Sequence, residues 1–218
     1  MGYACSVGSV MYRNTFPSPP SQLLPIYAAT VSSHFVCPLI KESGTEMEIN
    51  IKKAKLNEID KVLDLLKSAA LWLKAETIDY WQNWLNPPEL HVDWIKQGLK
   101  NKEFYFVYDS ENTLLGMYRL QYNDEMFWGQ QNIKAGYIHS FTTNRKYKGK
   151  GIGIKILQLI EKKLSDKGVD FLRLDCSPDI KGLCKYYESY GFRRIGEPKD
   201  IGVDGFICQL YEKRINWS

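Results

Sequence analysis

Tyr147-Lys148-Gly149-Lys150-Gly151-Ile152-Gly153-Ile154-Lys155, YKGKGIGIK, sets three glycines on alternate positions among lysines, just ahead of a helical pattern. Ile152, Ile156, Leu159, Ile160 and Leu164 mark one face of that helix, and Lys167-Gly168 closes it. Upstream, residues 134–143 read as a strand. A glycine loop between a strand and a helix start lets backbone N–H groups crowd toward one point, where the helix dipole, Lys148 and Lys150 add positive charge. The loop is therefore read as a phosphate seat, against the plainer alternative of a solvated tight turn. Spacing excludes two common phosphate loops. A Walker loop needs Gly-x-x-x-x-Gly-Lys-Ser/Thr, and no Ser or Thr follows a matching Gly-Lys; the dinucleotide fingerprint needs Gly-x-Gly-x-x-Gly, whereas Gly153 is followed by Ile154.

Working outward, strand and helix patterns alternate. Residues 48–52 read as a short strand, and Ile59, Val62, Leu63, Leu66, Ala70 and Leu73 recur at helical spacing behind an Asn57 cap. Trp72, Trp81, Trp84 and Trp94 follow on short helical pieces broken by Pro87-Pro88. Residues 104–108 and 114–122 flank the turn Asp109-Ser110-Glu111-Asn112 as a β-hairpin. Beyond the loop come a strand at 171–176, a helix from Gly182 to Tyr190 ended by Gly191, and a last strand at 206–211. The order β-α-α-β-β-β-α-β-α-β predicts an α/β fold, a mixed sheet with helices packed on it.

Two motifs in this order carry a resemblance. Lys148-Gly149-Lys150-Gly151-Ile152-Gly153 resembles motif A of the GNAT N-acetyltransferase superfamily, Arg/Gln-x-x-Gly-x-Gly/Ala. Downstream, Leu183 to Phe192, LCKYYESYGF, resembles its second signature, a Tyr-Tyr-Glu helix ending in Gly-Phe, with one helix and one strand between the two. The resemblance runs from about Met47 to the C-terminus and implies the GNAT acyltransferase fold, a mixed, mostly antiparallel central sheet flanked by helices. Lys148 departs from the usual Arg or Gln, keeping a cation without its planar fork. Ile180 stands where many relatives have Asn before the Tyr helix.

The resemblance implies acetyl-CoA as cosubstrate and transfer of its acetyl group to a primary amine of a small molecule by direct attack in a ternary complex. The pyrophosphate would rest on the loop, Lys148, Gly149, Lys150, Gly151, Ile152, Gly153 and Ile154, and the pantetheine arm would lie along Phe141, Thr142 and Thr143 like an added strand. Tyr187 matches the family's general acid, set against the reading of Tyr186, Tyr187 and Tyr190 as packing aromatics. Many relatives carry Glu on the strand before motif A; the comparable residue is His139, either a base or a core histidine satisfied by a neighbouring group. The acceptor region implied by the family contains Trp72, Trp81 and Trp84, with Asp124, Glu125 and Trp128 after the hairpin. Trp72, Trp81 and Glu125 are the acceptor candidates, aromatic walls with a carboxylate suiting a cationic amine. The family resemblance also allows a homodimer. The alternative is a non-catalytic acyl-CoA-binding or regulatory module that keeps the loop.

Composition narrows the partners. A net charge of +4 over 218 residues, with lysines spread along the chain, favours one local anion site over a nucleic-acid surface. No apolar run approaches the ~18 residues of a membrane span. Five cysteines, Cys5, Cys37, Cys176, Cys184 and Cys208, form no CxxC pair and indicate neither a disulfide framework nor a metal site, in keeping with a cytoplasmic location. Residues 1–40 hold five of the nine prolines and no Asp, Glu or Lys, so residues 1–46 read as a disordered or non-native N-terminal extension and 47–218 as the catalytic domain. The opening MGYACS fits a loose myristoylation pattern, and no basic segment precedes an apolar core as a secretory signal would require.

Overall fold

The computed structural model describes residues 48–201 and 206–215, so the expected extension at 1–46 lies outside the described residues. One sheet organises them. Strands β1 (Ile49–Lys53), β2 (Phe104–Asp109), β3 (Leu114–Gln121), β4 (Ala135–Thr143), β5 (Phe171–Cys176), β6 (Arg193–Asp200) and β7 (Ile207–Arg214) lie in the order β1-β2-β3-β4-β5-β7-β6. Every neighbouring pair is antiparallel except β4 and β5. That single parallel pair needs a crossover, which helix α4 (Ile152–Ser165) supplies. The mixed, mostly antiparallel sheet flanked by helices is the fold expected from the two motifs.

The helices follow their apolar stripes. In α1 (Ile59–Ala75) the buried residues Val62, Leu66, Ala69, Ala70 and Leu73 fall on one face, and Val62, Leu66 and Ala70 pack with Ile95 and Leu99 of α2 (Glu89–Lys100) over Phe104 and Phe106. α1 begins later than its expected cap: Asn57 lies in the 3-10 turn Leu56–Glu58, where the Glu58 carboxylate accepts from the Lys55 N–H at 3.0 Å. α4 buries Ile152, Ile156, Leu157, Ile160 and Leu164 and ends at Ser165; Gly168 follows with a φ of +63°, the left-handed conformation that glycine favours just after a helix. The remaining α-helices among the described residues are short, α3 (Glu125–Trp128) and α5 (Lys181–Ser189).

β6 was not foreseen. All eight of its residues are exposed, Pro198 lies within it, and it pairs with β7 alone. An edge strand wet on both faces has no apolar alternation to betray it, and its charges and proline discourage pairing with other chains.

Two irregularities create the site. Met117 on β3 faces Thr142 and Arg119 faces His139, so Ser140 and Phe141 together oppose Tyr118, a β-bulge. Ser140 takes a φ of +50°, unusual for a residue with a Cβ. β4 and β5 pair only from Ala135 to Tyr137 against Phe171 to Arg173; beyond that β5 is held by β7. The strands diverge, and a cleft opens between them.

Candidate active site

The cleft has a volume of about 680 Å³ and runs from the glycine loop to the centre of the sheet. At its outer end Gly149 and Gly151 adopt φ of +80° and +69°, and a Cβ at either would meet nothing within 4 Å. The glycines thus serve backbone conformation and leave open space in front of the helix. Gly153 differs: a Cβ there would run into the Tyr186 hydroxyl, so its missing side chain lets α4 approach α5. The first N–H groups of α4, from Ile152 to Ile154, have no acceptor within the helix. Ile152, Gly153 and Ile154 line the cleft, at the positive end of the helix dipole.

The two loop lysines behave differently. Lys148 lines the cleft, with its ammonium 5.6 Å from the Trp72 ring and 4.0 Å from Glu76. Lys150 turns toward Tyr147, 5.5 Å from that ring, and is not among the lining residues. The cation that composition did not single out is Arg145, whose guanidinium lies 3.4 Å above the Trp72 ring within the cleft lining. Burial lowers its pKa and Glu76 opposes that, yet an arginine remains charged at any physiological pH. The planar fork that Lys148 lacks is available next door.

Along the cleft, Phe141, Thr142 and Thr143 present the β4 edge released by the divergence from β5. Their other edge is engaged by β3, through Met117 and Gly116. Tyr187 projects from α5 into the same cleft; its ring is gripped by Tyr186, Phe192 and Tyr211, with centroids 5.5, 5.7 and 6.2 Å away. Burial above all, then Cys176, Tyr80, Tyr186 and Asp175, holds the Tyr187 phenol well above its ordinary value. It carries its proton at neutral pH.

His139 sits beneath, its side chain 7% exposed, between two carboxylates. Asp124 Oδ2 lies 3.3 Å from Nε2 and Asp175 Oδ1 3.7 Å from Nδ1. Both are ion-pair distances; the Asp124 contact is close but poorly aligned as a hydrogen bond. Burial alone would lower the histidine pKa, and Arg119 works the same way, but Asp124 and Asp175 outweigh them and the net direction is up. Trp94 and Phe127 wall the ring at 6.2 and 5.7 Å. Glu125 is exposed at the start of α3 and does not line the cleft; the neighbouring Asp124 is the carboxylate that turns inward. Trp72 and Trp81 line the cleft, Trp72 beneath Arg145 and Trp81 against Tyr80 at 5.7 Å. Ile180 also lines it, as the residue preceding α5, and offers no polar side-chain contact.

Asp175 stands out energetically. The buried arginines have close partners: Arg119 reaches Glu103 at 2.6 Å, and Arg173 reaches Glu212 at 2.6 Å and Tyr137 at 3.0 Å. Among the described residues, the Asp175 carboxylate, 9% exposed, has only the more distant His139 as an ion-pair partner. Burial pushes its pKa up to about 6, against the pull of His139 and with the push of Asp124. A folded-state value above the unfolded 3.8 means that ionisation opposes folding: the penalty is absent below pH ~4, grows between pH ~4 and ~6, and is complete above. The rise corresponds to roughly 3 kcal/mol at most. Asp175→Asn is therefore expected to stabilise the protein by about 1–2 kcal/mol at pH 7 and by nothing at pH 3.5. Urea midpoints at the two pH values check this; equal gains at both would remove the ionisation argument.

Residues 67–192, more than half the chain, match the acetyltransferase (GNAT) family. The chain belongs to that family. A relative in Bacillus subtilis, the uncharacterized N-acetyltransferase YesJ, is 25% identical over 167 residues, which span 74% of this chain and 88% of YesJ. A GNAT-family acetyltransferase of Listeria monocytogenes superposes with a TM-score of 0.62 at 24% identity, covering 76% of this chain and 94% of the other. The PaiA N-acetyltransferase of Thermoplasma acidophilum, solved in complex with coenzyme A, superposes with a TM-score of 0.57 at 18% identity, covering 77% and 99%. The seven-stranded sheet is the GNAT acyltransferase fold. No helix among the described residues is long and apolar enough to cross a membrane.

Proposed function

We propose that this GNAT enzyme transfers the acetyl group of acetyl-CoA to a primary amine of a small molecule by direct attack. The observation that carries the reading is the protonated Tyr187 phenol in the same cleft as the open helix start of α4 and the released β4 edge. The family membership and a CoA-bound neighbour of the same fold support it. When bound, acetyl-CoA supplies a thioester carbonyl and a thiolate leaving group.

The backbone amides from Gly149 to Ile154, with Arg145 and Lys148, hold the pyrophosphate charge. The free edge of Phe141 to Thr143 aligns the arm as an added strand does. A main-chain N–H of Phe141 or Thr142 donates to the carbonyl oxygen as it gains charge. The amine nitrogen bonds to the acetyl carbon while the C–S bond breaks; Tyr187 gives its proton to the departing sulfur, and the proton lost by the amine passes to His139, directly or through water. The products are an N-acetylated amine and CoA thiol, and no covalent bond to the protein forms.

A panel of primary amines with acetyl-CoA, read by free-thiol release, tests the proposal. Release stoichiometric with N-acetylated product is expected for at least one amine. CoA binding by calorimetry with no release from any amine would leave an acyl-CoA-binding module in place of an enzyme.

A further inference from the structure

Beyond the general reaction, the inner cleft carries information about the acceptor. We propose that the acceptor is a compact monoamine with an apolar, aromatic-sized body, its ammonium received by Asp175 and its body by Tyr80, Trp81, Trp94 and Phe206. The proposal rests on the acetyltransferase reading above and adds the substrate class.

The cleft is polarised. Its cations, Arg145 and Lys148, gather at the glycine loop with Trp72, the end that suits phosphate. At the other end Asp175 is the only acidic residue lining the cleft among the described residues. Around it the walls are rings: Tyr80 stacks on Trp81 at 5.7 Å and on Phe206 at 6.4 Å, and Trp94 stands edge-on to His139 at 6.2 Å. Such walls attract a cation through their faces and bury an apolar body, and neither effect supports an anion.

One carboxylate answers one ammonium. A polyamine would carry a second charge with no second lining carboxylate to meet it, and a ring face alone offsets only part of the cost of desolvating an ammonium. A free amino acid fails for the opposite reason. Its carboxylate would approach Asp175, and the nearest basic side chain, His139, already lies between Asp124 and Asp175. Asp175 itself is placed to hold a cation, since β5 leaves β4 just before it, His139 lies 3.7 Å away, and its carboxyl acts electrostatically on both Tyr80 and Tyr187. An ammonium seated there shares the cleft with the phenol and the imidazole; it gives one proton to water to become the free amine, and the proton it loses on attack passes to His139 as described above.

Calorimetry on the CoA-loaded protein, which cannot turn over, separates this proposal from the reaction itself. Phenethylamine is expected to bind about tenfold or more tightly than spermidine or phenylalanine, and Asp175→Asn to weaken it roughly 30-fold. The neutral analogue phenethyl alcohol should bind protein and variant within about threefold of each other, and CoA affinity should be equally unchanged, which shows an intact cleft. Spermidine or phenylalanine binding as well as phenethylamine, or phenethylamine indifferent to Asp175→Asn, overturns the monoamine class. Phenethylamine bound through Asp175 but never acetylated leaves the class standing and sinks the catalytic reading instead.

Discussion

Tyr187→Phe is expected to lower turnover by roughly 100- to 1,000-fold while leaving acetyl-CoA affinity within about threefold, because it removes a positioned proton donor and nothing else. The ring is held by Tyr186, Phe192 and Tyr211 through faces and edges that phenylalanine retains. The phenol keeps its proton up to high pH, owing first to burial, so the donor form is the resting form. Two neighbouring phenols are engaged elsewhere. Tyr211 donates its hydroxyl proton to Glu188 at 3.2 Å, and the Tyr186 hydroxyl lies against Gly153 at the helix contact. Rapid-quench measurement of product together with calorimetric CoA binding checks both halves. Full turnover in the variant would remove Tyr187 from the chemistry and leave it a packing residue.

What could be read in advance was whatever one local segment encodes. The glycine spacing, the stripe of α4 and the Tyr-Tyr-Glu helix each lie within a dozen residues, and together they led to the family and the sheet that the structure has. Edge strand β6 escaped because period-two alternation reports a half-buried strand, and β6 buries neither face. The residues around the inner cleft escaped for a different reason. Arg145 meets Trp72, and Asp124 and Asp175 meet His139, through the bulge at Ser140 and the divergence of β4 from β5. Those are long-range consequences of register, and no short window contains both partners. Asp175 left one trace: within FLRLDC the apolar face is Leu172, Leu174 and Cys176, and on the opposite face an unmatched carboxylate follows Arg173. Glu125 and Asp124 illustrate the limit at one residue, since a single position decides which carboxylate of the pair turns into the core.

His139→Ala is the second large expected effect, a loss of roughly 10- to 100-fold in kcat/KM near pH 7. The histidine works as a base only when neutral, and its raised pKa places the acid limb of the kcat/KM profile above the ordinary histidine value of 6.5. Burial and Arg119 pull that value down; Asp124 and Asp175 pull it up and prevail. Asp124→Asn removes the carboxylate 3.3 Å from Nε2, so the imidazole loses its proton more readily and the limb must move to lower pH. The base that remains is weaker, and the plateau falls as the limb shifts. Because Asp175 titrates near the same range, the limb belongs to the Asp175–His139 pair, and its slope should soften when either member is replaced. In His139→Ala the residual rate should follow the fraction of free amine in solution and keep rising with pH, since the proton then leaves to water before attack. A structural histidine predicts otherwise: a uniform loss at every pH, accompanied by a lower melting temperature and no displacement of the limb in Asp124→Asn. Profiles of the three proteins on one amine, taken beside their unfolding midpoints, decide between a base and a core histidine.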